Sequence, residues 1–534
     1  MLTSIDLSVA ELEALRLADL ENMYHGTATE QIGIFRQTLL NLNMYTKLAE
    51  SMQLCVISNT NVQTIKKGRH MCRPYKIKEI KIMKKYDIVI IGGGPAGIVT
   101  AMTAQKEYQD KSILIITAEA KALVPCGIPY MFHALGDMDK NQMSPQAFVN
   151  GGGKLLIDTV IAIDSQQQVL TVSSTDKISY DKLVFATGSR PTVPNFIKGF
   201  DARYIALISK SYSAMKAVQK QAASARKIIV LGSGFTAVEM AEQLALEEEK
   251  EVHLIFRSEN CLHRAFSPEF AEIINQKLAD SGVILHSQSP IKEIVCTANK
   301  CEVILDSGNA VEGDMLIAAM GFEANIDLAA NAGFHINNNN QIVVDNYQRT
   351  NVENVFAVGD CAQTKGFITG RNDNIMLASI ATAEARVLGH NLFKIRIKRN
   401  FPGTLSVFAT EINKTVFASA GAIEQEAKLA NISYITSSFS DVDRHPGTFT
   451  DAKKLTVKLV VMPEDGQIIG GEVVGSKSSA ELINVIALAI QKYVTVYELI
   501  SFQIGSHPLL SGAPTKTALI KAAENAIRKI SKLK

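Results

Sequence analysis

The chain has little cysteine, almost no net charge and no long apolar run. Seven cysteines in 534 residues form no staple pattern, which excludes a small disulfide-framed secreted fold. A net charge of +2 gives no global attraction to nucleic acid or anionic lipid. The longest apolar runs, such as Ile88 to Ile91, are strand length and far short of the roughly 18 residues of a membrane span. The first residues carry acids early and lack the order of charge, apolar core and small residues that marks a signal peptide. A reducing cytoplasm is the expected compartment. Apolar content of 47% with only 6% aromatics reads as ordinary α/β material, long enough for about three or four domains.

Two short patterns stand out against that plain background. Asp87-Ile88-Val89-Ile90-Ile91 is a buried-strand run, followed by Gly92-x-Gly94-Pro95-Ala96-Gly97 and then by a helical pattern through Ala101 and Met102. In such a strand–loop–helix, Gly92 permits the tight turn, Gly94 lets backbone approach a pyrophosphate, and Gly97 allows helix to pack on strand. The motif recurs. Lys227 to Leu231 leads into Gly232-Ser233-Gly234-Phe235-Thr236-Ala237, with Ala237 in place of the third glycine and Glu239 and Met240 opening the helix. Two such units imply two dinucleotides or one duplicated fold.

Further small-residue crossings follow strands. Leu183 to Phe185 runs into Ala186-Thr187-Gly188, and Val355 to Val358 ends on Gly359-Asp360; Gly321 is a further candidate for cofactor binding. Ligands in parallel sheets bind at the carboxyl ends of strands, so Asp360 is placed to accept a hydroxyl hydrogen bond. About thirty residues after the first glycine loop comes Val124-Pro125-Cys126-Gly127-Ile128-Pro129-Tyr130, with no second cysteine close behind.

Together these pieces resemble the flavin-dependent pyridine nucleotide–disulfide oxidoreductases over residues 83–534. The order matches: first glycine loop for FAD, cysteine, Ala186-Thr187-Gly188, second loop for NADH or NADPH, Gly359-Asp360, then a C-terminal domain. The resemblance implies two Rossmann-like domains and an α/β dimerisation domain. It divides the chain into a helical segment (1–60), a basic linker (61–82), a first FAD part (83–205), an NAD(P) part (206–324), a second FAD part (325–400) and a dimerisation part (401–534). It also implies a homodimer, an Asp360 that holds the flavin ribityl chain, and a Glu239 near nicotinamide and flavin. His507, in Gly505-Ser506-His507-Pro508, resembles the His-Pro element that reaches a partner subunit's site as acid/base.

The lone cysteine narrows the resemblance. Two-cysteine members carry a second cysteine where this chain has Met131, so an internal active-site disulfide is not expected. The stretch is similar to the single-cysteine branch, which includes coenzyme A disulfide reductases, persulfide or polysulfide reductases, NADH oxidases and NADH peroxidases. Oxidase and peroxidase members place a histidine inside the first glycine loop, where Pro95-Ala96 stands here. Disulfide or persulfide chemistry needs a thiolate with access to substrate sulfur, and Cys126 is the candidate. The expected reaction moves electrons from NAD(P)H by way of FAD and Cys126 to a small disulfide, persulfide or polysulfide. Oxygen is the alternative acceptor. A coenzyme A-linked substrate would need basic residues at the pocket mouth, and sequence leaves Lys121 and Lys140 unplaced.

The remaining cysteines have no ligand-like spacing and no metal site is expected; Cys296 and Cys301, five apart in an expected strand pair, read as filler. The usual ribose-binding acid is missing after both second strands. In the first unit Glu119 is the nearby acid. In the second, Phe256 takes the acidic position and Arg257 could meet a 2′-phosphate instead, which tilts the expectation toward NADPH with NADH still open.

Residues 1–60 show helical spacing at Leu12, Leu15, Leu17 and Leu20 and a second pattern around Gly33. Glu11 to Asp19 and Ile32 to Thr38 resemble a family of DNA-binding helix-turn-helix proteins, although Phe35 stands where a small polar residue is usual and no basic recognition face is present. A degenerate fusion remnant, a DNA-binding module and a packing extension stay open. With the module, the protein would be a redox-responsive regulator rather than only an enzyme. Residues 66–85 hold nine Lys or Arg against the single acid Glu79 and read as a solvated basic linker.

Overall fold

Every residue of Ile88-Val89-Ile90 is fully buried, because strand β1 (Lys84–Ile91) lies inside a sheet covered on both faces. The computed structural model describes residues 83–533 apart from 298, 299 and 399; the expected helical segment 1–60 and linker 61–82 lie outside the described residues. Alternation along β1 sends Ile88 and Ile90 toward helix α1 (Pro95–Glu107) and Val89 and Ile91 toward Leu170, Val172 and Phe334 on the other face.

β1 pairs in parallel with β2 (Ile113–Thr117) on one side and with β3 (Lys177–Phe185) on the other. Lys154–Ile157 extends the sheet beyond β2, and an antiparallel hairpin, Val160–Asp164 with Val169–Val172, extends it beyond the start of β3. A second sheet repeats the plan. β4 (Lys227–Leu231) precedes helix α2 (Phe235–Ala245) and pairs in parallel with β5 (Glu251–Ile255) and with Met315–Ala318. The chain then returns to the first sheet. Val355–Ala357 pairs in parallel with the end of β3, and helix α3 (Ala378–Asn391) packs along α1. The fold is α/β, with two doubly covered dinucleotide-type units.

The C-terminal unit is a five-stranded antiparallel sheet, in the order Phe408–Ile412, Thr415–Gly421, Ile468–Gly475, Lys454–Val461, Ile435–Val442. Helices Leu482–Gln491 and Ala518–Ser531 bury their apolar faces on it. It docks on the second unit through buried polar contacts. The Ser267 amide and hydroxyl donate to the fully buried Glu472 carboxyl at 2.7 and 2.5 Å. Lys458 bridges Glu269 and Glu424 at 2.5 and 2.9 Å. Phe408 stacks on Phe235 of α2, with ring centroids 5.0 Å apart. That docking brings the first C-terminal strand to the side of α2.

One expectation is corrected here. Cys296 and Cys301 are not filler but a disulfide across the hairpin Ile291–Cys296/Cys301–Leu305. The register sets the two residues directly opposite each other, which brings their Cβ atoms within bridging reach.

Candidate active site

Both glycine loops sit where a parallel strand ends and a helix begins. In the first, Gly92 has φ +120°, and a Cβ there would stand 2.0 Å from the Ala186 carbonyl oxygen. A Cβ on Gly97 would stand 2.0 Å from the Gly92 carbonyl oxygen, whereas one on Gly94 would meet nothing within 4 Å. The turn and the helix contact are therefore closed, and the face at Gly94 is open. Pro95 opens α1, Ala96 follows it, and no side chain caps the first amides and no acid lies in the first turn. Such a helix start accepts an anionic pyrophosphate. The second loop has the same form: Gly232 has φ +131° with a Cβ position 2.4 Å from the Ala319 carbonyl oxygen, and Gly234 is open. The Ala237 methyl stands 3.1 Å from that Gly232 Cβ position. Two open cradles at two helix starts fit two dinucleotides, FAD and a nicotinamide nucleotide.

The crossings expected from sequence converge on the first cradle. A Cβ on Gly359 would stand 2.9 Å from Ala96 Cβ, so the Gly359-Asp360 turn lies against the first loop. Asp360 Oδ2 accepts from Ser189 Oγ at 2.6 Å and pairs with Lys210. Thr187 Oγ1 donates to the Asn325 carbonyl oxygen at 2.7 Å, and the Asn325 amide donates to the Gly188 carbonyl oxygen at 2.9 Å. Gly321, at φ +102°, accepts from the Thr192 amide at 3.0 Å where Ser189–Pro191 pairs with Phe322–Ala324. This is where the chain crosses between the two units. Ser189 follows directly on Ala186-Thr187-Gly188, whereas Lys210 carried no sequence signal.

Glu119 lies two residues past β2 and turns toward the start of helix Tyr212–Ser224. Its carboxylate accepts from the Tyr212 amide at 2.8 Å and from Ser211 and Ser213, and these hydrogen bonds, outweighing the effect of burial, hold it below the usual carboxylate range. In the second unit Phe256 is buried, while Arg257 is exposed and enters no ion pair among the described residues. Burial, with the nearby charges of Arg264 and Arg257, holds the His263 imidazole low, so basic groups gather after β5.

Cys126 is a free, exposed thiol on the turn Pro125–Gly127. The turn is tied down by Asn141: the Val124 amide donates to the Asn141 carbonyl oxygen at 2.9 Å, and Asn141 Nδ2 donates to the Val124 carbonyl oxygen at 3.1 Å. Met131, in the place of a second cysteine, is fully buried in the core. Lys121 is held by Asp139 at 2.9 Å and by the Tyr212 hydroxyl, and Lys140 donates to the Leu135 carbonyl oxygen.

Four residues after Cys126, Tyr130 meets the second unit. Thr410, from the C-terminal sheet, donates to Glu239 Oε1 at 2.7 Å, and the Tyr130 phenol lies beside this pair. Burial pushes the Glu239 carboxyl up to about 7, against the opposing effects of Thr410 and Tyr130 and with repulsion from Glu242. Burial and the Glu239 charge also push the Tyr130 phenol up. The cysteine turn, α2 and the C-terminal sheet thus meet at one shared carboxyl. Tyr130 lay in plain sight within the cysteine motif; Thr410 had no signal.

His507 is exposed and far along the C-terminal segment, its Nδ1 accepting from the Leu509 amide at 3.3 Å. The segment is pinned by Arg444 to the Leu509 carbonyl oxygen at 2.6 Å. It carries the exposed apolar side chains Ile500, Phe502, Leu509 and Leu510. Among the described residues no group of side chains could hold a metal ion, and no helix is long and apolar enough to cross a membrane.

Comparison with known proteins adds identity to this geometry. The family model for pyridine nucleotide-disulphide oxidoreductases matches residues 86–385, and its dimerisation-domain model matches 410–518. An NADH oxidase of Methanocaldococcus jannaschii is 29% identical over 83% of this chain and 99% of its own length. An NAD(P)H coenzyme A polysulfide/persulfide reductase of Pyrococcus horikoshii is 29% identical over 77% of this chain and 92% of its own. Among solved structures, an engineered water-forming NADPH oxidase bound to NADPH, a variant of the Lactobacillus brevis NADH oxidase, superposes with a TM-score of 0.77. It is 26% identical over 84% of this chain and 99% of that one.

Proposed function

The chain belongs to the pyridine nucleotide-disulphide oxidoreductase family, is accordingly an NAD(P)H-dependent FAD oxidoreductase, and on that premise we propose that it reduces a sulfur–sulfur bond through Cys126. The observation that carries this reading is a free, exposed thiol behind an open FAD cradle, with a core methionine where an internal partner cysteine would stand. Bound FAD supplies the transfer of two electrons from the nicotinamide to sulfur. The first loop (Gly92, Gly94, Ala96, Gly97) would hold its pyrophosphate and Asp360 a hydroxyl of its chain, while Gly232, Gly234 and Ala237 would frame the nicotinamide nucleotide.

Cys126 as thiolate attacks one sulfur of the acceptor. A bond forms between Cys126 Sγ and that sulfur, the acceptor's own sulfur–sulfur bond breaks, and the second sulfur leaves as thiolate or hydrosulfide. Two electrons from NAD(P)H then cleave the bond to Cys126, restoring the thiolate and releasing the bound sulfur group with a proton. The acceptor class is a small persulfide, polysulfide or disulfide, and the named activity of the Pyrococcus relative supports a coenzyme A-linked one. The exposed apolar side chains around His507 support a homodimer in which that histidine serves the neighbouring subunit's cysteine as acid/base. A cytoplasmic setting suits a free catalytic thiol.

NADPH is the donor this reading favours. Phe256 is buried instead of facing the ribose, and Arg257-Ser258 follows with His263 and Arg264 close by. The engineered NADPH oxidase carries substitutions that remove an aspartate and introduce two arginines and a serine, the same exchange of residue types.

The test is Cys126→Ser in the full chain. The variant should keep its flavin and lose turnover with coenzyme A persulfide, polysulfide and coenzyme A disulfide by more than about a hundredfold. Unchanged turnover sinks the proposal. Oxygen consumption to water without any sulfur acceptor, at a rate above every sulfur acceptor, would instead favour the activity named for the Methanocaldococcus relative.

A further inference from the structure

Beneath the first cradle lies a buried carboxyl that the Cys126 reaction does not use. Glu384 projects from α3 and is fully buried. Its Oε2 accepts from the Gly359 amide at 2.8 Å, and its Oε1 has no hydrogen-bond partner and no contact with solvent. An uncompensated buried charge is costly, so the fold must either neutralise Glu384 or lose stability. Burial, helped by repulsion from Asp360, pushes the carboxyl up to about 8 against the Gly359 hydrogen bond. At neutral pH it therefore carries a proton, which belongs on Oε1.

The position matters because the amide it holds is that of the turn lying against Ala96 in the first glycine loop. We propose that Glu384 is a positioning residue of the flavin site: its carboxyl clamps the Gly359 amide and so holds Asp360 in place, and a negative charge on it weakens FAD binding. The elements packed against the Gly359 turn carry other charged and titratable groups. On the Gly359 turn, Asp360 is paired with Lys210, and the buried Cys361 thiol is pushed up by its own burial. On α1, Glu107 is taken by His390 at 2.7 Å and Arg396 at 2.9 Å, and Lys106 lies in the same last turn. On α3 itself stand Arg386 and His390. Of these groups, Asp360 is the one whose charge raises the Glu384 carboxyl.

The sign follows from linkage. An FAD pyrophosphate brings further negative charge to the start of α1, so the bound state holds the Glu384 proton more tightly than the free protein does. FAD affinity is then constant while Glu384 is protonated in both states and falls as pH rises through and beyond about 8. The experiment is FAD binding to the full-length apoprotein, followed by flavin fluorescence, between about pH 6 and about pH 10. Wild-type affinity should fall about tenfold across that range. Glu384→Gln keeps the buried shape without a titrating group, and should bind FAD at neutral pH with a flat profile. A flat wild-type profile overturns the proposal, as does a folded E384Q that follows the wild-type curve or binds no FAD at neutral pH. The wild-type curve decides by itself should the variant not fold. None of these readouts involves a sulfur acceptor, so they stand or fall apart from the Cys126 reading.

Discussion

The two glycine loops are the same device built to different tolerances. In both, the first glycine is left-handed and pressed on a carbonyl from the neighbouring strand's crossing, at 2.0 Å for Gly92 and 2.4 Å for Gly232. In both, the middle glycine faces open space. They part at the third position. A methyl on Gly97 would run into the Gly92 carbonyl oxygen, whereas the Ala237 methyl is accommodated. The first loop is also backed by the Gly359 turn, whereas the second is held through Ser233, whose carbonyl oxygen accepts from the Leu262 amide at 2.8 Å. A cofactor that stays bound suits a tight, braced cradle; a nucleotide that arrives and leaves each cycle suits a looser one.

That contrast can be broken most forcefully at the first glycines. Gly92→Ala forces a Cβ into a carbonyl at a left-handed backbone position, with an expected cost of about 3 kcal/mol or more and loss of the flavin absorbance. Gly232→Ala should leave the flavin bound and abolish its reduction by NADPH. If each variant lost both nucleotides, the loops would not be separate sites.

A smaller effect sharpens the nucleotide assignment. Arg257→Ala should weaken NADPH relative to NADH by about tenfold, roughly 1.4 kcal/mol, measured as the ratio of kcat/KM values. An unchanged ratio would show that Arg257 does not meet the 2′-phosphate.

The smallest effect concerns the second loop's helix. Glu239 is raised to about 7, so the stability gained from its proton is full below the ordinary 4.5 and is lost as pH rises through about 7. Thr410 donates to this carboxyl and favours its ionised form. Thr410→Val should therefore move the midpoint upward, by about half a unit to one unit, in the pH profile of anaerobic flavin reduction by NADPH. A profile unmoved by the substitution would remove Glu239 from that step.

Much of the site was legible along the chain. Unbroken apolar runs such as Ile88 to Ile91 announce strands buried on both faces, because parallel sheets need no polar side. The glycine spacing announces the turns, because no other residue fits their backbone. What was not legible comes from distant segments. Thr410 reaches Glu239 across 171 residues. Lys210 reaches Asp360 from outside any motif. The Cys296–Cys301 bridge depended on a register that spacing alone did not settle. Glu384 falls on the apolar face of its helix, between Ile380, Ala381 and Leu388, but the spacing gives no sign of what its carboxyl meets.

By itself, then, the sequence determined the local pattern: two dinucleotide turns, one cysteine after the first of them and no second cysteine close behind it, since each is a matter of a few consecutive residues. Only the tertiary structure decided which groups meet and in which protonation state. Burial and the approach of remote charges set whether Glu239 and Glu384 carry a proton, and neither quantity exists until the chain has closed around them.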